Sequence, residues 1–480
     1  MPAPGVITRV TRSRRTRTAS RHLTSLAVAV VTTCLISAAP ASAPTPGAPG
    51  VGDPYFPGLG NGGYDVAHYG LDISFNPSSG RLDGRATVTA RAEQDLSAFD
   101  LDLQQLDVTS VTVSDHRAGF TRNGDELVVT PAQPLRAGHD FTVAVVYGGV
   151  PQPRTGPILS GSDYGWLRTS DGVLVAGEPD SASTWFPGSD HPSDKATFDL
   201  RITAPKALTA VSNGRLVSTT RHGATTTTHW RESKPMATYL ATAAIGNFDV
   251  RTGRTPGGIP EYVAIDPSLP NTNGVDVYGL TAAVTDYWTS LFGPYPFEET
   301  GAIVDNVPQV SFSLELQTKP AYSHELYDTT VVHELAHQWF GDAVSVKQWK
   351  DIWLNEGFAT YATWLWAEHQ GTASAHESFL ADYNSRPADS AFWQTKVTDP
   401  QRDTLFSSPV YHRGAMTLQV LRERIGDHAF FALLRTWYLT HRYGNANTAQ
   451  FVSLAEKISG QRLDDLFSTW LDTPGRPQLG

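Results

Sequence analysis

One cysteine in 480 residues, Cys34, is too few for a disulfide framework. It lies within an apolar run near the N-terminus, so the chain beyond that run has none, and stability there rests on packing rather than on cross-links. The residues before it, Val31-Thr32-Thr33, lack the small side chains of a lipoprotein signal. Positive charge is also scarce: 37 Lys and Arg against 48 Asp and Glu give a formal charge of −11. Such an acidic surface argues against nucleic acid and anionic membranes as partners. Acidic residues are missing in turn from residues 1–43, which carry six arginines, an apolar run from Leu23 to Ala39 and then Ala41-Ser42-Ala43. That order of parts is a secretory signal. Ser13-Arg14-Arg15 weakly resembles a twin-arginine element, which leaves the export route open. The run is short and broken by threonines, which argues against the alternative of an uncleaved membrane anchor. A secreted chain is expected, of charge −17 once those six arginines are removed, without stable membrane association.

What remains is ordinary globular composition, 40% hydrophobic, 10% aromatic and 18% charged, long enough for two or three domains with real cores. No repeat of 20–50 residues is evident. Residues 44–63 are rich in Pro and Gly and read as a linker. Residues 64–255 alternate in short segments such as Leu71-Asp72-Ile73-Ser74-Phe75 and Phe141 to Tyr147, with a hairpin turn at Asn123-Gly124. This half reads as an antiparallel β-sandwich or saddle. Residues 256–480 read as a second domain. A helix is expected from Val275 to Phe292, strands at Gly301–Val304 and Val310–Thr318, and then helices to the end, including about 413–424, 427–440, 447–458 and 463–471. The fold class is therefore α+β.

His333-Glu334-Leu335-Ala336-His337 is the most informative stretch. A helix repeats every 3.6 residues, so the two imidazoles share one face a turn apart and can bind one metal ion, with Glu334 offset beside them. Val331, Val332, Leu335, Ala336 and Trp339 supply an apolar face, and Asp328, Thr329 and Thr330 are candidate caps. In Trp353-Leu354-Asn355-Glu356-Gly357-Phe358-Ala359, one carboxylate stands among apolar neighbours, where burial costs several kcal/mol unless it is paired or bound to metal. Gly357 is expected to let the two ligand helices approach closely. Two His and a carboxylate, His333, His337 and Glu356, form the ligand set of one catalytic zinc ion with a fourth position left for water. Cobalt or manganese can replace zinc in such a set.

HELAHQWFG (His333 to Gly341) and WLNEGFATY (Trp353 to Tyr361) resemble the aminopeptidase N family of zinc metallopeptidases, which also includes leukotriene hydrolase. The resemblance runs from about residue 60 to the C-terminus and implies a thermolysin-like catalytic domain, mainly helical, after the β domain. It singles out Tyr411, in Tyr411-His412-Arg413-Gly414, as the family's catalytic tyrosine; otherwise it would be one of seventeen tyrosines. The family's Gly-x-Met-Glu-Asn substrate motif aligns with Phe312-Ser313-Leu314-Glu315-Leu316, keeping the glutamate and losing the Gly and Asn. Glu178 matches a second substrate-binding residue from the N-terminal domain, upstream of Phe186-Pro187 and Asp190-His191-Pro192, with Ser183 where the family has Arg.

The resemblance implies an aminopeptidase acting on peptides with a free N-terminus. Glu334 would be the general base, Tyr411 an oxyanion donor, and Glu315 with Glu178 the anchors of the substrate's α-ammonium. A zinc endopeptidase or small-substrate hydrolase on the same scaffold is one alternative. A peptide-binding protein with a structural zinc is another.

Overall fold

The structure, a computed structural model, describes residues 43–269, 272–323 and 326–479. The segment read from sequence as a secretory signal, with Cys34, lies outside these residues except for Ala43. Residues Pro44–Gly480 make up one unit. Among the described residues, no helix is long and apolar enough to cross a membrane.

Alternation builds the N-terminal half. In Tyr64–Asn76, Tyr64 and Val66 point inward, and so do Tyr69, Leu71, Ile73 and Phe75. The phase flips where a bulge shifts the register between Val66 and His68, because one extra residue sends each later side chain to the other face. This strand lies mid-sheet in the order Arg215–His222, Thr225–Ala237, Lys195–Pro205, Tyr64–Asn76, Arg81–Ala92, Asp140–Gly149, Asp107–Val113 and His116–Arg117. The sheet is not antiparallel throughout, as expected from sequence: Lys195–Pro205 runs parallel to Tyr64–Asn76, a pairing between strands far apart in the chain that local alternation cannot reveal. The Asn123-Gly124 turn closes a hairpin between Gly119–Asn123 and Glu126–Thr130, with Gly124 at φ +62°. A further sheet runs Arg154–Thr155, Asp163–Arg168, Val173–Ala176, Ala243–Gly246 and Thr209–Ser212.

The Pro/Gly-rich segment read as a linker is docked. Thr45–Pro46 pairs with Leu96–Asp102, Phe56 and Leu59 are buried, and Asp53 Oδ2 accepts from the Trp349 backbone N–H at 2.9 Å. Composition conceals this because three anchoring side chains sit among the turn formers.

The second half opens with a sheet of Asp249–Arg254, Pro260–Ile265, Thr300–Val304 and Ala321–Tyr322. Helix α1 (Val277–Phe292), capped by Asp276 accepting from Gly279 N–H, crosses between its second and third strands. The strand expected over Val310–Thr318 is absent, apart from a bridge between Leu314 and Ala321. Thr318 adopts φ +68°, which breaks the extended path. Among the described residues, the remaining α-helices are α2 (Asp328–His337), α3 (Trp353–Gln370), α4 (Ala375–Asn384), α5 (Ser408–Ile425), α6 (Asp427–His441), α7 (Thr448–Ser459) and α8 (Asp464–Phe467). Sequence reading missed α4, although Ser374 and Glu377 form a reciprocal capping box at its start. The result is a β-rich domain followed by a mainly helical one, an α+β fold.

Candidate active site

Helix α2 buries Val331, Val332, Leu335 and Ala336, and this packing fixes the rotation of the helix and the direction of its polar side chains. Its N-cap is Tyr327, with no side-chain capping bond; Asp328 instead sits in the first turn, where its charge favours the positive helix end. His333 and His337 project together, their rings 4.8 Å apart between centroids. His337 Nδ1 lies 3.0 Å from the Phe340 carbonyl oxygen, which fixes an Nδ1–H donor and turns the Nε2 lone pair the other way.

Helix α3 brings Glu356 to both imidazoles. Its Oε2 is 3.2 Å from His333 Nε2 and 3.4 Å from His337 Nε2. Ligand bonds of about 2.0–2.1 Å around a tetrahedral zinc would place donor atoms about 3.3 Å apart. The donor set and its spacing therefore fit zinc. Gly357 does not face α2 as expected; it meets Gly414 on α5. Helix α5 begins five residues earlier than the periodicity suggested, with Pro409 in its first turn, and so carries Tyr411 on that turn. The Tyr411 ring lies nearly parallel to His333, with centroids 6.1 Å apart.

Two more carboxylates come from outside these helices. Glu315 follows the Leu314–Ala321 bridge, and Glu178 follows the strand Val173–Ala176; both are buried. Glu178, Glu315 and Glu356 present oxygens that all lie within 4.8 Å of one another, and so do the ligand atoms of Glu315, Glu334 and His337. All seven residues singled out from the sequence thus share one site.

The electrostatics follow from this crowding. Burial, then the charges of Glu315, Glu356 and Glu334, hold the Glu178 carboxyl well above the usual range. Burial raises Glu334 as well, with Glu315 and Glu356 adding repulsion that His337 partly offsets. Burial opposes ionisation of Glu356 too, but the His337 charge and hydrogen bonds from both imidazoles hold it below the usual value. The Tyr411 hydroxyl is raised by burial and by Glu356, Glu178, Glu315 and Glu334, so it remains a proton donor. Glu178 Oε1 and Glu315 Oε1 have no hydrogen-bond partner among the described residues. A buried site with this excess of carboxylate favours cations.

Sequence reasoning passed over two neighbours. Gln338 stands inside the quoted HELAHQWFG, but its side chain turns away from the ligands to the 315–318 loop, at 3.1 Å from the Glu315 carbonyl oxygen and 2.8 Å from Thr318 N. Its position directly after the second histidine was the available signal. Asp342 is fully buried with neither carboxylate oxygen hydrogen-bonded among the described residues, and nothing in the sequence marks it.

Residues 66–240 match the peptidase M1 N-terminal domain, and residues 297–470 match the peptidase family M1 domain. The structure is similar to that of an M1 zinc metallopeptidase from Deinococcus radiodurans, at 30% identity and a TM-score of 0.83, covering 90% of this chain and 98% of that one. The chain belongs to peptidase family M1. A mutant of the Deinococcus metallopeptidase bound to a Tyr-Ser-Ala substrate is similar at 29% identity and a TM-score of 0.82, over 90% of this chain and 99% of that one. Aminopeptidase M1-D of Oryza sativa subsp. japonica is 28% identical over 345 residues, 65% of this chain and 38% of that protein. The chain spans less than half the length of the curated relatives it matches. M1 membership and the donor set agree on zinc as the metal.

Proposed function

We propose that this M1 peptidase is a secreted zinc-dependent aminopeptidase that removes the N-terminal residue of peptides. The observation that carries the reading is the surplus of buried carboxylates: Glu178, Glu315 and Glu356 offer oxygens within 4.8 Å of one another. One bound dication accounts for Glu356. Glu315 and Glu178 still call for a second cation, and the α-ammonium of a peptide meets that need. Pairing there sets the first peptide bond over the ligand helix. It also disfavours a blocked, uncharged N-terminus, which would leave the carboxylates unpaired.

Zinc, held by His333, His337 and Glu356, would supply Lewis acidity that lowers the pKa of a water towards ~7 and polarises the scissile carbonyl. Glu334 lies among the ligands on the same helix without belonging to the set formed by the two histidines and Glu356. In this reading it accepts the attacking water's proton and delivers it to the leaving amine. Tyr411, protonated and close to His333, donates to the oxygen of the tetrahedral intermediate. The arginine-rich start, apolar run and Ala41-Ser42-Ala43 support export of the chain. Mass spectrometry of a digested peptide mixture tests the reading. Products shortened one residue at a time from the N-terminus are expected, and internal cleavage contradicts it.

A further inference from the structure

The loop that carries Glu315 has little regular structure to hold it, yet the α-ammonium reading needs Glu315 fixed relative to α2. One side chain spans the gap. Gln338, fully buried at the C-terminal end of α2, donates from Nε2 to the Glu315 carbonyl oxygen at 3.1 Å. Its Oε1 accepts from Thr318 N–H at 2.8 Å. A single carboxamide thus holds both ends of the turn from Glu315 to Thr318, and only a side chain with a donor and an acceptor at this reach can do so. The same turn is gripped from the β-rich domain: Asn213 Nδ2 donates to the Gln317 carbonyl oxygen at 2.8 Å, and Gly214 N–H donates to Thr318 Oγ1 at 2.7 Å. These bonds hold Thr318 at φ +68°, a backbone conformation that a β-branched residue rarely adopts. The motif's Asn is replaced here by Leu316, whose side chain has no hydrogen-bonding group, so the turn depends on its neighbours for its shape.

We infer that Gln338 is a positioning residue: it transmits the placement of His337 and Glu334 on α2 to Glu315 and so sets the register between the metal site and the substrate's α-ammonium. This rests on Glu315 anchoring that ammonium, as proposed above. Gln338 itself touches neither metal nor substrate. Removing its carboxamide should loosen the grip on the free N-terminus and leave metal loading intact. A residue needed only for folding would lower stability and turnover together without altering selectivity.

The test compares one short peptide with its N-terminus free or acetylated, using full-length zinc-loaded enzyme. Gln338→Met is expected to retain one zinc per chain and to lower the free-over-acetylated ratio of kcat/KM at least about tenfold, the change carried by KM of the free peptide. Glu315→Gln, run alongside, separates the two claims. If Glu315→Gln lowers the ratio and Gln338→Met leaves it within about twofold, the inference is overturned and the anchor reading stands. If Glu315→Gln leaves the ratio unchanged, the anchor reading fails and takes the inference with it. Should Gln338→Met not fold, Gln338→Asn, one methylene too short to reach both ends of the turn, is read by the same criteria.

Discussion

Gly357 on α3 and Gly414 on α5 meet backbone to backbone: a Cβ on either would lie 3.0 Å from the other's Cα. Glu356 directly precedes the first glycine, and Tyr411 stands one turn before the second. The closeness of this contact therefore sets how near the tyrosine hydroxyl can come to the ligands. Gly414→Ala is expected to force the helices apart, cost about 1–3 kcal/mol of stability and lower kcat while zinc content holds. Urea unfolding and turnover on the same preparation check it. Unchanged kcat would show that the contact serves packing alone.

Tyr411→Phe removes the hydroxyl and leaves the ring against His333. The expected result is a fall in kcat of about 10²–10³, with KM altered far less, because the lost bond forms only as the oxyanion develops. A change confined to KM would place Tyr411 in substrate binding.

Glu334→Gln keeps the shape of the side chain and removes its basicity. Metal analysis should still find one zinc per chain, and turnover should fall by at least the roughly 10²–10⁴ typical of a lost general base. Near-normal turnover would assign proton transfer to another group.

Away from the metal, burial pushes the Asp194 carboxyl up to about 7, with Asp65 and Glu93 adding repulsion. Its folded pKa thus exceeds its unfolded value of about 4, so its contribution to stability is complete at low pH and is lost as pH rises through 7. Asp194→Asn keeps an acceptor for Val66 N–H and does not titrate. The stability of the parent relative to this variant should therefore decline between pH 5 and 7, by up to about 1.4 kcal/mol per pH unit. Urea unfolding at three pH values with zinc saturated measures it, and a pH-independent difference would contradict it.

The legible and illegible parts of this molecule differ in physical range. His333, His337 and Glu356 were readable because helical spacing fixes which side chains share a face, and because a lone carboxylate in an apolar helix asks for a partner. The strands around Leu71 and Phe141 were readable from alternation. The parallel pairing of Lys195–Pro205 with Tyr64–Asn76 and the docking of Asp53 under Trp349 depend on partners over a hundred residues away, and no local pattern carries them. Glu178, Glu315 and Tyr411 came from resemblance alone. Their convergence is a tertiary fact, and Gln338 escaped notice because its role lies in where its side chain turns.

In the proposed reading, zinc chemistry is tied to a free N-terminus. The most direct measurement is hydrolysis of one short peptide, free or N-acetylated, by the purified chain with and without a chelator. Release of the first residue from the free form alone, abolished by the chelator and restored by zinc, is the predicted result. Equal cleavage of both forms, or cleavage that survives the chelator, would contradict the account.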